Sequence, residues 1–204
     1  MTSRARPDAE IGPDCDIGDD CEIHAGAVIS PPEVQGEPPV IGDGATVRSG
    51  TVVYPDVTVG ERLVTGHDAL VREHTEIGDD CTIGTKTVID GHTQVGDRVS
   101  MQTGVYVPSY TEIGSDVFLG PNAVLTNDPY PVRTDHDMVG PTLEDHVSIG
   151  ANATLMPGVT IGERSFVAAG AVVIDDVPEG SLAVGVPAEV RPLPDHLDRG
   201  NDIR

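Results

Sequence analysis

The chain has no Trp, only 3% aromatic residues, three Cys and a single Lys, Lys86, among its 204 residues. Each scarcity excludes something. A core built around large rings is ruled out by the lack of aromatics. Cys15, Cys21 and Cys81 are too few for a disulfide framework. Each sits in a slot otherwise filled by Ala, Thr, Val or Ser, so they read as small core residues. No apolar run approaches the ~18 residues of a membrane span, and the N-terminal stretch MTSRARPDAE is polar. Together these predict a soluble cytoplasmic protein without a membrane partner. Basic residues total 12 against 34 acidic, a formal charge of -22. That charge repels phosphodiester backbones and excludes nucleic acid as a partner. A dense acidic surface with so little Lys fits a protein working at high salt, where screening shortens self-repulsion.

What the chain does have is order at period six. Val71, Ile77, Ile83, Ile89, Val95, Met101, Val107, Ile113, Leu119 and Leu125 recur without a miss. A helix repeats near 3.6 residues and a strand near 2, whereas a six-residue repeat marks a β-helix. From Ile11 to Val173 the register holds an aliphatic or Met at 24 of 28 positions, the exceptions being Gln35, Thr65, Pro131 and Asp137. Two residues before each aliphatic comes a small or β-branched residue, such as Ala45, Thr51, Ala69, Thr75 or Cys81. Residues two apart on a strand share a face, so both point inward. Gly follows the aliphatic at eleven positions, which predicts a corner needing a residue without Cβ. Three hexapeptides make one triangular coil of about 18 residues, stacked at ~4.8 Å. The fold class is therefore all-β, a single β-helix domain over 1–190, followed by a polar and loosely held tail over 191–204.

Two segments interrupt the register. Pro31–Pro39 carries four prolines, which cannot donate to a ladder. Thr126–Thr142 (TNDPYPVRTDHDMVGPT) is a 17-residue extrusion, and loops this long inside a compact domain are usually functional. A weaker irregularity is expected near Glu61–Ala69. The pieces around Pro178 and Pro187 are placed to cap the open end.

The repeat resembles the hexapeptide-repeat acyltransferases, which implies a left-handed parallel β-helix. VFLGPNAVLTNDPYP over 117–131 is similar to the N-acetyltransferases that act on nucleotide-linked amino sugars. IGANATLMPGVTIG, FVAAGAVV, DVP and VGVPA, within 147–190, are similar to the C-terminal part of that group and of other acetyl-CoA-dependent enzymes. The resemblance implies an acetyl-CoA-dependent transferase acting on the amine of a small amino-sugar acceptor. It also implies homotrimers with sites between subunits, and a donor groove beside the C-terminal coils near Gly150, Ala151, Ala168, Ala169, Gly170 and Pro187. Arg164 and Arg191 are then candidates for the donor's phosphates, since a guanidinium suits bidentate phosphate contacts.

For catalysis the candidates are His136, between Asp135 and Asp137, with Asn127 and Asp128 from the TNDPYP motif. Each has a plain alternative reading, because Asn-Asp-Pro is a turn initiator and a loop His is often only solvated. His74 and His92 stand 18 residues apart, hence in one column, with Tyr110 and His146 joining them by count. With Gln102 and Tyr130 they are candidates to line the acceptor site. No metal is expected: the γ-class carbonic anhydrases on this fold pair two His five residues apart, and no His pair here has that spacing. The rival functions are O-acetylation of a sugar or serine, a metal hydratase of that class, or a scaffold without catalysis.

Overall fold

A computed structural model describes residues 4–203, so residues 1–3 and 204, at the outer limits of the expected domain and tail, lie outside the described residues. Short strands wind into three sheets of eleven, nine and eight strands, parallel except for the last strand of the first. One turn shows the plan. Thr75–Ile77 lies in the third sheet, Thr82–Ile83 in the first, Val88–Ile89 in the second, and Thr93–Val95 returns to the third. Val71 pairs with Ile89, and Ile89 with Val107, at the expected step of one coil. The result is a left-handed parallel β-helix of hexapeptide repeats.

The core is a stack of aliphatic residues. Ile29, Ile83, Ile89, Met101, Leu119, Leu125, Ile149 and Leu155 are wholly buried, and so are the small partners Ala45, Thr51, Thr87 and Val99. At Thr65 the register is not broken. Thr65 pairs with Ile83 like any core residue and is wholly buried. Its hydroxyl lies 3.0 Å from that of Thr51 and accepts the Arg48 backbone N–H at 2.9 Å. A buried hydroxyl is tolerated because it is bonded, so the irregularity expected near 61–69 is an ordinary coil.

The interruptions are whole hexapeptides. Asp16 pairs with Val40, 24 residues on, so the proline segment adds one slot of six. Glu112 pairs with Thr142, 30 residues on, so the long loop adds two. This explains why the register counts straight through both.

The glycine corner is real, with a different cause. Left-handed φ falls three residues after the aliphatic, at Asp80 (57°), His74 (56°), His92 (46°) and Tyr110 (67°), and not at the glycine that follows it. The glycines cluster instead at one corner, between the third and first sheets, as Gly18, Gly42, Gly60, Gly78, Gly96, Gly114 and Gly162. A Cβ on Gly78 would stand 2.8 Å from the Gly96 carbonyl carbon and 2.9 Å from the Asp97 nitrogen. Close stacking of coils, not backbone conformation, excludes a side chain there. The same corner is laced by side chains: Asp79 Oδ1 accepts Glu61 N–H at 2.7 Å, and Asp97 Oδ1 accepts Asp79 N–H at 2.9 Å.

Cys21 and Cys81 are buried and Cys15 half-buried. Burial pushes the Cys81 thiol up to about 11, so it stays protonated and unreactive at neutral pH. A maleimide reagent at pH 7.5 is expected to leave Cys81 unlabelled in the native chain and to label it after denaturation, read by mass spectrometry.

At the C-terminal end, Ser181–Gly185 adds to the first sheet beside Phe166–Val167, and Ala188–Pro192 returns antiparallel to it. This hairpin, with Val177 bridged to Ile161, closes the prism. The tail is held to the coils by Asn201, whose Nδ2 donates to the Asp116, His146 and Val147 carbonyls at 2.9–3.1 Å.

Candidate functional site

The corner between the second and third sheets presents His74, His92 and Tyr110 in successive coils. Their left-handed backbones aim the rings outward into a ladder. Ring centroids are 4.6 Å apart for His74–His92 and 5.2 Å for His92–Tyr110. Beside the ladder lies a groove of about 770 Å³, floored by the outward residues of the third sheet, Thr58, Glu76 and Gln94. These three pair in register across neighbouring strands. Pro38 and Glu37 of the proline segment bound the groove near Asp56, where Asp56 Oδ1 accepts Glu37 N–H at 3.0 Å. The insert therefore builds one end of the groove.

The long loop is anchored beside Tyr110, a residue lining the groove. Asn127 Nδ2 donates to the Ser109 carbonyl at 3.1 Å, and Val139 N–H donates to the Asn127 carbonyl at 3.0 Å. The loop thus leaves and returns at one point, next to Tyr110. Gly140 is pressed onto that residue: a Cβ there would stand 2.5 Å from the Tyr110 carbonyl oxygen. Within the loop, Asp128 Oδ1 accepts Tyr130 N–H at 2.9 Å and lies 3.1 Å from His136 Nε2. His136 Nδ1 is 3.1 Å from Thr134 Oγ1, and the Tyr130 ring meets the imidazole edge-on at 6.0 Å. The carboxylate that reaches His136 is Asp128, eight residues back, and not either flanking Asp.

Other candidates lie elsewhere on the chain. Gln102 opens the corner between the first and second sheets, with Nε2 donating to Ser100 Oγ at 2.9 Å. His146 does not join the His74 column. The loop takes twelve residues out of the count, which shifts His146 to the glycine-rich corner, 4.0 Å from Asp116. Gly150, Ala151, Ala168, Ala169 and Gly170 do converge, in two adjacent coils of the corner that also holds Gln102, tied by Gly170 N–H to the Ala151 carbonyl at 2.8 Å. None of these five residues carries more than a methyl group, although Asn152 follows Ala151 in the same turn, and a Cβ on Gly170 would meet nothing within 4 Å. Ala168 N–H donates to the Ala183 carbonyl at 2.9 Å, so the Gly185–Pro187 turn projects just beyond this shelf. Arg191 lies on the outer hairpin strand, 3.0 Å from Glu189. Arg164 is on the glycine-rich corner, away from the shelf.

Glu76, Gln94 and Thr58 were not marked by sequence reasoning. The outward slot of a three-residue strand carries no periodic signal. Counting in steps of 18 from a suspected column would have found them.

Comparison with known proteins bears on these features. The family model for bacterial transferase hexapeptide repeats matches residues 140–175, and that for the hexapeptide repeat of succinyl-transferase matches residues 74–109. A Saccharomyces cerevisiae protein named as an acetyltransferase is 38% identical over 81 residues, 37% of this chain and 41% of the relative. The 2,3,4,5-tetrahydropyridine-2,6-dicarboxylate N-acetyltransferase of Clostridium perfringens is 54% identical over 48 residues, 24% of this chain and 20% of that enzyme. The chain thus spans less than half the length of these relatives. Among solved structures, the UDP-N-acetylglucosamine acyltransferase of Campylobacter jejuni aligns with a TM-score of 0.78 over 93% of this chain and 75% of its own. At 21% identity that likeness speaks for the fold alone.

Proposed function

We propose that this chain, which belongs to the hexapeptide-repeat transferases, is an acetyl-CoA-dependent acetyltransferase. Its acceptor is the amine of an amino sugar, in the nucleotide-linked form that the TNDPYP motif suggests. One observation carries the reading: a loop holding a His–carboxylate pair is anchored beside Tyr110, in the imidazole-phenol ladder that lines the groove. The small-residue shelf at Gly150–Ala151 and Ala168–Gly170 suits the extended arm of the donor, because these five residues carry no more than a methyl group.

Acetyl transfer forms a C–N bond and breaks the thioester C–S bond, and the amine must lose a proton. With its Nε2–H donated to Asp128, His136 keeps a lone pair on Nδ1, facing the Thr134 hydroxyl. That nitrogen is the proton acceptor in this reading. Asn127, fixed at the loop base, orients the reacting groups, and the glycan stacks along His74, His92 and Tyr110. A homotrimer fits the second sheet, whose outward slots hold Val28, Val52, Leu70, Val88, Tyr106 and Val124 in successive coils. Such an apolar stripe is suited to a neighbouring copy.

Free-thiol release from acetyl-CoA with a panel of amino sugars, free and nucleotide-linked, tests the proposal. An amide product, resistant to hydroxylamine, is expected. His136→Ala should lower kcat by about 100-fold, with KM for acetyl-CoA nearly unchanged. No thiol release with any amine or hydroxyl acceptor, or full activity in His136→Ala, would overturn it.

A further inference from the structure

The tail and the last coils enclose a second cavity, of about 240 Å³, on the glycine-rich corner. It lies on a different corner from the groove and from the small-residue shelf. Arg164, Arg199, His146 and His196 line it, with the hydroxyl residues Ser148 and Ser165. Asp202 is the carboxylate in the lining. In a chain with 12 basic residues against 34 acidic, two guanidiniums and two imidazoles at one small cavity are a local concentration of basic groups, although Asp116 lies 4.0 Å from His146 and Glu163 3.8 Å from Arg164.

How these arginines are left is informative. Earlier in the same column, Arg62 and Arg98 are each gripped by the carboxylate one coil on. Arg62 Nε and Nη2 lie 2.6 and 2.9 Å from Asp80, and Arg98 Nε and Nη2 both 2.8 Å from Asp116. Each pairing holds its carboxyl below the usual range, through the guanidinium hydrogen bonds. At Arg164 the next slot is Gly180, whose N–H donates to the Glu163 carbonyl as Asp116 N–H does to Asp97. The column therefore supplies no carboxylate, and among the described residues Arg164 has only Glu163 as an ion partner, at 3.8 Å. Arg199 has no ion-pair partner among the described residues. His146 keeps Nδ1 buried and without a hydrogen-bond partner among the described residues. Asn201 also accepts the Ser148 hydroxyl at 3.0 Å, so the tail that carries His196 and Arg199 is fixed opposite Arg164.

We propose that this cavity binds a phosphate-type dianion, gripped between the Arg164 guanidinium of the prism and the Arg199 guanidinium of the tail. A guanidinium fork matches phosphate oxygens in pairs. The volume lies below the ~300–1,000 Å³ of drug-sized pockets, which limits the occupant to a small group. The dianion can be free inorganic phosphate or the terminal phosphomonoester of a larger ligand such as coenzyme A. Bound there, it fastens the tail to the last coils.

Calorimetry with inorganic phosphate, at constant ionic strength set by KCl, tests the proposal on the full chain. Saturable binding is expected, weakened at least tenfold in Arg164→Ala and in Arg199→Ala and less so in the Lys variants. Asn201→Ala, which frees the tail without removing a cation, should also weaken it. A parallel titration with coenzyme A and its 3′-dephospho form separates the sources. If Arg199→Ala weakens only the phosphorylated form, the occupant is the coenzyme's phosphate; if it weakens neither while inorganic phosphate is lost, the occupant is free phosphate. No saturable phosphate binding by the wild-type chain, or binding unchanged in both Ala variants, overturns the site. Neither result touches the acetyl-transfer reading, which thiol release measures separately.

Discussion

A chain lacking residues 128–139 should melt within about 4 °C of the full protein and lose acetyl transfer by at least ~1,000-fold. The deletion is chosen from the register. Strands either side of the loop pair at 30 residues where uninterrupted coils step by 18, so twelve residues are surplus to the prism. Joining Asn127 to Gly140 gives Leu125-Thr126-Asn127-Gly140-Pro141-Thr142-Leu143, a complete hexapeptide between two core leucines. Gly140 then occupies the third slot after Leu125, where Gly26, Gly50 and Gly104 already adopt left-handed φ in other coils. The prism keeps its ladder while Asp128, Tyr130, Thr134 and His136 are gone. Thermal melting by circular dichroism and thiol release together read the outcome. Activity close to wild type would remove the loop from the chemistry. Should the deleted chain fold poorly, Asp128→Asn, which removes the carboxylate charge beside His136, carries the same test without altering the backbone.

Gly78→Val is expected to cost about 2–4 kcal/mol, because overpacking at a contact that cannot relax is costly. The added Cβ would meet Gly96 and Asp97 backbone under 3.0 Å away, and its aspartate neighbour Asp97 Oδ1 at 2.3 Å. Backbone laced to the coils above and below moves only by opening both. In a stacked repeat each coil touches only its neighbours, so the damage should localise to residues 60–97 in hydrogen exchange. The corner between the second and third sheets is a built-in control. It carries Tyr54, Arg72 and Asp90 in the equivalent slot, where Arg72 is forked onto Glu73 at 2.7 and 3.0 Å and reaches Asp90 at 2.8 Å. Burial raises the Glu73 carboxyl, but its own backbone N–H and Arg72 outweigh this and hold it low. Side chains are accommodated there, so Arg72→Val should be far milder than Gly78→Val. Equal losses at the two corners would contradict close stacking as the reason for the glycines.

The prism was legible because period six is written in every coil by residues that must face inward, from Ile11 to Val173. Even Thr65 kept the count, its hydroxyl satisfied by Thr51 and Arg48. Less legible was anything set by contacts between coils. The glycine column looked like a demand on φ, whereas the demand is distance, which only the stacked backbones reveal. His146 was misplaced because the sequence does not say which residues of 126–142 leave the prism. The ladder of His74, His92 and Tyr110 could be read from steps of 18, but its floor of Glu76 and Gln94 could not, because outward slots are free to vary. The His136–Asp128 contact spans eight residues of irregular chain and follows from no periodicity. Asn201 reaches 85 residues back to Asp116, and no sequence pattern announces it.

A crystal structure of the chain with coenzyme A and the amino-sugar acceptor is the most direct test of the central claim, that groove and loop form one acetyl-transfer site. The account predicts the sugar against His74, His92 and Tyr110, with its amine about 3–3.5 Å from the reacting position of the thiol and next to Asn127. A sugar bound away from that ladder, or a thiol end that no copy of the chain brings to the loop, would contradict it.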